Sequence, residues 1–543
     1  MKTGVESIQE REFNLVAFYK ELEAFIGGRE GPGALVWRAL DFAASAHSGQ
    51  WRKSGEAYIS HPCEVAAILV REMEIKNAEI LAAALLHDTV EDVPQVTPAL
   101  IGELFGPEVE AIVDGLTKIS YYVGDRQAFN RLVHRKIFTE SATRTEVMVV
   151  KLADRLHNLR TLDSLPRRKR QKVAEETLDI YAPMARVMGL YQLKRELYSL
   201  ALVYKFPRQS QKVMAHIRQL ATNDACKKIR KILEEEMRHV WLDGTIEIRA
   251  KGLGAYYDPA KKRLAKEIEF PVELIIKVND IQSCYRALGV VNQSFPPIPR
   301  TIRDFIANPK PSGYQSIHAR ANIWGQNYLF KFRTPQMVAS ARVGILQKWS
   351  SQGQVPAEFE ADLQEMFDIM GAEDGISYRE LIAASGKREI YTYTPKGDKI
   401  CLPHQSIVLD FAFKVHTEVG ERCQYALVSG KRVGPEHMLR DGDRVKVVCQ
   451  EEPVHFDPAI QRLCHTARAR SGLARIFRQR RIALATEVGR SIVTQELKRY
   501  GIPLDILDLE AMADIIEYFG AGDRTELFEL IGEGRVHLKE VLY

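Results

Sequence analysis

Leu81-Ala-Ala-Ala-Leu-Leu-His87-Asp88-Thr-Val-Glu91-Asp92 opens as an apolar run of strong helix formers and then presents four ionisable groups in six positions. On a helix, His87 and Glu91 stand four apart and so do Asp88 and Asp92, which places all four over about one turn. A His-Asp pair set in an apolar helix is costly to desolvate unless positive charge sits on it. A divalent cation would supply that charge. The plainer reading is a helix that leaves the core at His87 and carries its carboxylates as a solvated end. By itself this stretch leaves both readings open.

Two further stretches bear on the choice. Upstream lies Ala46-His47-Ser-Gly-Gln-Trp-Arg52-Lys53-Ser54-Gly55-Glu56-Ala-Tyr58-Ile-Ser-His61-Pro62, a basic, glycine-containing loop that ends in a histidine. Downstream lies Val149-Val-Lys151-Leu-Ala-Asp154-Arg155-Leu-His157-Asn158-Leu-Arg-Thr161-Leu, in which Asp154, Asn158 and Thr161 share one helical face. His61, His87-Asp88 and Asp154 together supply two imidazoles and two carboxylates from three helices. Mixed nitrogen and oxygen ligands with open positions suit Mn, Fe or Zn, and the two carboxylates favour manganese. In order and chemistry these stretches resemble the HD superfamily of metal-dependent phosphohydrolases.

The chain of 543 residues has room for three or four domains. Its hydrophobic content of 45 % is ordinary for a globular protein, and a formal net charge of +5 permits a nucleotide or RNA partner without requiring one. Seven cysteines are scattered without a CxxC pair, which argues against a disulfide framework or a zinc knuckle and for reduced thiols. The N-terminal Met-Lys-Thr-Gly-Val-Glu-Ser lacks the apolar core of a signal peptide, and no apolar run reaches membrane-span length. A cytoplasmic location is the expectation.

The hydrophobic pattern divides the chain. Residues 1–204 read as amphipathic helices with short loops, an all-α block. Residues 205–350 alternate helical patterns with strands such as Val272–Val278 and Tyr328–Phe332, an α/β domain. Residues 351–387 read as a linker. Within 388–451, Ile390–Thr394, a Pro-Lys-Gly-Asp turn and Lys399–Leu402 form a hairpin, and a helix and the strand Arg444–Cys449 complete a β-grasp module. Residues 452–543 return to helices. The basic run Arg167-Arg-Lys-Arg170-Gln-Lys172 after Pro166 reads as a solvated helix start.

In this order the chain resembles the RelA/SpoT family of stringent-response enzymes over nearly its full length. The carriers in the first domain are HSGQWRKSGEAYISHP, ALLHDTVED, GLTK, KLADRLHNLRTL and ETLDIYAP. YTYTPKGDKICLP and LDFAFKVHTEVGERC are similar to the family's TGS module, and RTELFELIGEGRVHLKEV to the helical domain after it. The resemblance implies an HD hydrolase domain, a nucleotidyltransferase-like synthetase domain, TGS and a helical domain. It also implies manganese-dependent removal of pyrophosphate from the 3′ position of guanosine tetra- or pentaphosphate. On that basis His61, His87, Asp88 and Asp154 match the metal ligands. Glu91 and Asp92 match the acidic pair that orients and deprotonates water. Arg52 and Lys53 match residues flanking guanine, and Ser54, Asn158 and Thr161 match neutral groups around the nucleotide.

The second domain resembles the family's synthetase but departs from it where the chemistry would occur. Arg249-Ala-Lys251 keeps a phosphate-holding pattern, and Pro309–His318 keeps the guanine-stacking Tyr314 and its neighbour His318. The magnesium-binding Asp, however, falls on Phe270, the Arg after it on Ile275, and the Glu of the family's Glu-x-Gln-Ile-Arg-Thr on Leu329. Without two carboxylates, neither the metal nor the 3′ hydroxyl proton has an evident acceptor. These are the marks of a non-catalytic, vestigial synthetase.

Three other readings compete. A bifunctional enzyme would use shifted carboxylates such as Glu267, Glu269 or Glu273. A ribosome- or tRNA-binding regulator would use the TGS module, with His416, and the segment carrying Arg462, Arg468, Arg470, Arg475, Arg478, Arg480 and Arg481. A broader HD nucleotidase would not need Arg52-Lys53-Ser54. The complete metal constellation, with both Glu91 and Asp92, favours a hydrolase with no membrane partner.

Overall fold

In the computed structural model, the described residues are 14–117 apart from 32 and 53, 136–346 apart from 138, 142–143, 260, 300, 308, 311–312 and 345, and 389–536 apart from 502, 504–515, 517 and 520. The 351–387 linker and Lys53 lie outside them. The chain forms two compact units, one of residues before 373 and one of those from 387 on. The all-α and α/β segments therefore share the first unit.

Asn77 starts the central helix Ala78–Leu86 by accepting the Ile80 N–H at 2.9 Å. Residues Ile80 to Leu86 are all buried, as a helix that is apolar all round requires. It packs between Ala34–Ala46, Ser60–Arg71 and Pro107–Leu116, while Ser60–Arg71 also lies on Thr145–Arg160. These packings bring the start of one helix, the end of a second and the middle of a third to one place. The central helix does not run unbroken through Asp92: it stops at Leu86, and a separate turn, Thr89–Asp92, follows. The Thr89 hydroxyl donates to the Leu86 carbonyl at 2.7 Å, satisfying an acceptor that the break would orphan.

The helix Tyr191–Lys205 belongs to both halves of this unit. It packs on Arg167–Glu176 and Thr145–Arg160 on one side and on Pro335–Val343 on the other. The α/β half is built on a mixed five-stranded sheet in the spatial order Gly244–Ala250, Val272–Val278, Gln326–Arg333, Ile317–Ile323, Arg303–Asp304. Strand periodicity assigns its faces. Val272, Leu274, Ile276 and Val278 join Tyr328, Phe330 and Phe332 in the core, under the helices Asp224–His239 and Ile281–Ser294. Glu273, Ile275 and Lys277 point to the opposite face.

In the second unit the hairpin pairs Glu389–Tyr393 with Lys399–Pro403, and Gly397 (φ +95°) supplies the left-handed position of its turn. A three-stranded sheet orders Lys431–Val433, Cys423–Val428 and Val445–Cys449. Asp410, fully buried in the helix Val408–Val415, accepts from the backbone of Ile407, His465 and Thr466 and from the Thr466 hydroxyl, at 2.7–3.0 Å. That carboxylate fastens the module to the start of the 33-residue helix Ala467–Arg499. Several residues of the arginine run serve the same joint: Arg470 donates to the Cys464 carbonyl, Arg480 to the Val454 carbonyl, and Arg475 pairs with Glu421. These three arginines are thus engaged within the unit.

Candidate metal centre and the sheet face

His61 stands in the first turn of Ser60–Arg71, His87 just after Leu86, Asp88 in the turn that follows, and Asp154 in mid-helix. One ligand atom each from His61, His87 and Asp88 lie within 4.8 Å of one another. His61 Nε2 is 3.4 Å from Asp88 Oδ2 and 3.3 Å from Asp154 Oδ1, and His87 Nε2 is 3.2 Å from Asp88 Oδ1. Such separations are those of neighbouring ligands around an ion whose bonds are about 2.1 Å long.

The protonation pattern also suits a cation. His87 Nδ1 donates to the Ala84 carbonyl at 2.7 Å, and its Nε2 is buried without a hydrogen-bond partner. Burial pushes His61 down, towards the neutral imidazole. Burial alone would raise Asp154, but Lys151 at 3.0 Å and the His61 contact outweigh it and hold the carboxyl well below its usual range. Two buried imidazoles facing carboxylates make a donor set that fits a divalent ion.

The flanking residues form a rim that is half-buried to exposed. Glu91 is half-buried and Asp92 exposed in the Thr89–Asp92 turn, and Gln50 Nε2 donates to the Asp92 carbonyl at 3.3 Å. Asn158 Nδ2 donates to Asp154 Oδ1 at 2.5 Å and its Oδ1 faces an Arg52 nitrogen at 3.4 Å. Ser54 is exposed with Glu56 at 3.3 Å. Thr161 ends its helix, and its hydroxyl donates to the His157 carbonyl at 3.1 Å.

Three residues outside the sequence-derived set touch this cluster. Tyr58 donates its hydroxyl to Asp88 Oδ2 at 2.9 Å and stacks on His47, with centroids 4.7 Å apart. Lys151 pairs with Asp154. His157 meets His61 through its Nδ1, and burial, then His61 and Arg52, push it down to about 3. Helical spacing carried the signal for two of them, since Lys151 and His157 lie three either side of Asp154, whereas Tyr58 sits in the turn before the His61 helix.

On the sheet, Phe270 and Leu329 are buried, and Ile275 lines the face where the family pattern has its Arg. Glu267 and Glu269 are exposed. Glu273 is clamped between Arg249 (2.7 Å) and Lys331 (2.8 Å), so it is already committed to ion pairs. Tyr314 differs from the stacking platform the resemblance implies. It is only 8 % exposed, with the Arg333 guanidinium 4.9 Å over its ring and its hydroxyl 2.8 Å from His318 Nε2.

Comparison with known proteins agrees with this layout. Residues 39–191 match the HD domain, 260–354 the region found in RelA / SpoT proteins, and 390–449 the TGS domain. The chain is 33 % identical to a probable GTP pyrophosphokinase of Mycobacterium leprae, over 94 % of its own length and 67 % of the relative's. The chain belongs to the RelA/SpoT family. It is also 32 % identical to a probable guanosine-3′,5′-bis(diphosphate) 3′-pyrophosphohydrolase of Synechocystis sp., covering 99 % of this chain and 72 % of that protein. A bifunctional (p)ppGpp synthase/hydrolase of Mycobacterium tuberculosis is 33 % identical over 94 % of this chain and 71 % of the relative. RelA/SpoT proteins thus include relatives named for synthesis, for hydrolysis and for both. Among the described residues no helix is long and apolar enough to cross a membrane.

Proposed function

We propose that this RelA/SpoT protein is a manganese-dependent hydrolase that converts guanosine tetra- or pentaphosphate to GDP or GTP and pyrophosphate, in the cytoplasm, and that its synthetase-like domain does not synthesise. The supporting observation is the contrast between two sites in one unit. His61, His87, Asp88 and Asp154 stand at ligand distances with His87 Nε2 buried and without a hydrogen-bond partner, whereas Phe270 and Leu329 leave the sheet face without its acidic pair.

A bound divalent ion would polarise the 3′ diphosphate and acidify a water at the cluster. The chain's own residues divide the remaining work. His61, His87, Asp88 and Asp154 hold the ion's place. Glu91, with Asp92 beside it, accepts the water proton at its carboxylate. Arg52 presents a planar guanidinium suited to a purine, with Lys53 next to it in sequence, and Asn158 links Arg52 to Asp154. Ser54 and Thr161 supply neutral hydroxyls at the rim. A TGS contact to tRNA or the ribosome, through His416, remains a separate proposal that follows from the family.

The test is incubation of purified protein with labelled ppGpp and Mn²⁺, and separately with ATP and GDP, followed by chromatography. GDP and pyrophosphate from the first mixture, abolished by chelation, are expected, and no product from the second. Release of single phosphate would sink the hydrolase assignment, and ppGpp from ATP and GDP would sink the non-catalytic reading of the second domain.

A further inference from the structure

The three-stranded sheet of the second unit brings two thiols face to face. Cys423 opens the strand Cys423–Val428 and Cys449 closes Val445–Cys449, and the two are direct partners across this antiparallel pair. One residue beyond them, the Gln450 N–H donates to the Arg422 carbonyl at 3.0 Å. That bond makes Cys423 and Cys449 a non-hydrogen-bonded pair, the kind in which side chains stand closest and Cα atoms are about 4.5 Å apart. A disulfide spans Cα separations of about 4.4–6.8 Å.

Pleating decides that both sulfurs share the core face. Cys449 follows Val445 and Val447 at intervals of two, and both valines pack in the core. Cys423 stands an odd number of residues before the buried Ala426, so a regular pleat would turn it outward. A β-bulge between Cys423 and Tyr425 shifts the register and returns Cys423 to the core face. Exposure then separates the two thiols. Cys423 is fully buried, whereas Cys449 is exposed at the end of its strand, with its Sγ donating to the Val419 carbonyl at 3.8 Å. Burial and then Cys449 push the Cys423 thiol up to about 12, and burial raises Cys449 as well, against the pull of Arg422. Access makes Cys449 the first to react, and the raised thiols make that reaction slow at neutral pH.

We propose that Cys423 and Cys449 form a reversible cross-strand disulfide by exchange with a low-molecular-weight disulfide such as oxidised glutathione. The Cys449 thiolate attacks one sulfur of the small disulfide, whose S–S bond breaks and releases one thiolate. Cys423, deprotonated, then attacks the Cys449 sulfur of the mixed disulfide and displaces the second thiolate. Two protein thiols are oxidised, one small disulfide is reduced to two thiols, and both protons pass from the protein to the leaving thiolates. In a reducing compartment such a bond is transient and reports the redox state. It ties together two segments that meet at the long helix. Thr417–Glu421, just before Cys423, packs on Ala467–Arg499. Val454, shortly after Cys449, donates its N–H to the Glu421 carbonyl at 2.8 Å and accepts from Arg480 at 2.7 Å.

Equilibration of the full chain with mixtures of oxidised and reduced glutathione tests this, followed by alkylation of free thiols, digestion without reductant and mass spectrometry. The peptides carrying Cys423 and Cys449 should be joined by a bond that reductant cleaves. Cys423→Ala should instead leave glutathione on Cys449, because nothing then displaces it. Cys449→Ser, which alters only an exposed side chain, should leave Cys423 unmodified. Thermal unfolding of the second unit should rise by about 5–10 °C on oxidation of wild type, since the bond constrains the unfolded chain, and should not rise in Cys449→Ser. Absence of the joined peptide from wild type overturns the proposal, as does Cys449 joined to another cysteine or to a second chain. An equal rise in Cys449→Ser overturns it too, and glutathione found on Cys423 in place of Cys449 overturns the order of attack.

Discussion

The imidazoles of His157 and His61 meet Nδ1 to Nδ1 at 2.8 Å, and an Arg52 nitrogen approaches the same His157 atom at 3.5 Å. One of the two Nδ1 atoms carries the shared proton. If His61 donates it, His61 Nε2 keeps its lone pair towards Asp88 and Asp154, which is the tautomer a metal ligand needs. His157 is therefore placed to orient a ligand it does not replace.

That placement predicts a graded result at His157. His157→Leu should weaken Mn²⁺ binding or turnover by about 10- to 100-fold. His157→Asn keeps an amide oxygen close to the Nδ1 position and should recover much of the loss. Chelator-competition titration of Mn²⁺ on both variants, with thermal unfolding to confirm their folds, measures this. Equal losses in the two would reduce His157 to a packing residue.

The ligands and the base should separate cleanly. Asp88→Ala or His61→Ala should lose metal as well as ppGpp hydrolysis, since each removes an atom from the cluster of mutual ligands. Glu91→Gln should retain metal and lose about two to four orders of magnitude in turnover. Metal content by mass spectrometry beside the rate settles it, and near-normal turnover in Glu91→Gln would move the base role to Asp92.

Glu273 gives a pH signature outside the metal centre. Its folded pKa lies below that of an unfolded glutamate, about 4.3, so its stabilisation is fully present above that pH and shrinks as pH falls towards the folded value. Glu273→Gln should cost about 1–3 kcal/mol near neutrality, towards the lower end because Arg249 is one-third exposed. The gap to wild type should narrow below about pH 4. Denaturant melts across pH test this, and a constant gap would show that the ion pairs contribute nothing.

The second unit has its own weak point. A Cβ on Gly489 would sit 1.9 Å from the Phe528 carbonyl oxygen, and one on Gly532 equally close to that of Ala485. These two glycines let the helices Ala467–Arg499 and Arg524–Gly532 touch backbone to backbone. Gly489→Ala should destabilise this pairing by about 1–3 kcal/mol, despite alanine's better helix propensity. Calorimetric unfolding with an unchanged or raised transition would refute the close approach.

The sequence alone determined the donor types of the histidine-aspartate cluster, because these follow from His61, His87-Asp88 and Asp154 whatever their surroundings, and periodicity marked the strand Val272–Val278 and the hairpin of Ile390–Thr394 with Lys399–Leu402. It did not determine the break after Leu86, since helical spacing reads straight through His87 and only packing against the neighbouring helices decides where the backbone turns. Nor did it show that Tyr191–Lys205 joins the two halves of the first unit, or that Glu273 is held by Arg249 and Lys331 while Tyr314 lies under Arg333. Those are contacts between residues far apart in the chain. Side-chain identity sets what a group can bind, whereas which partner reaches it first, and whether it is left facing solvent, is fixed only when distant segments pack together.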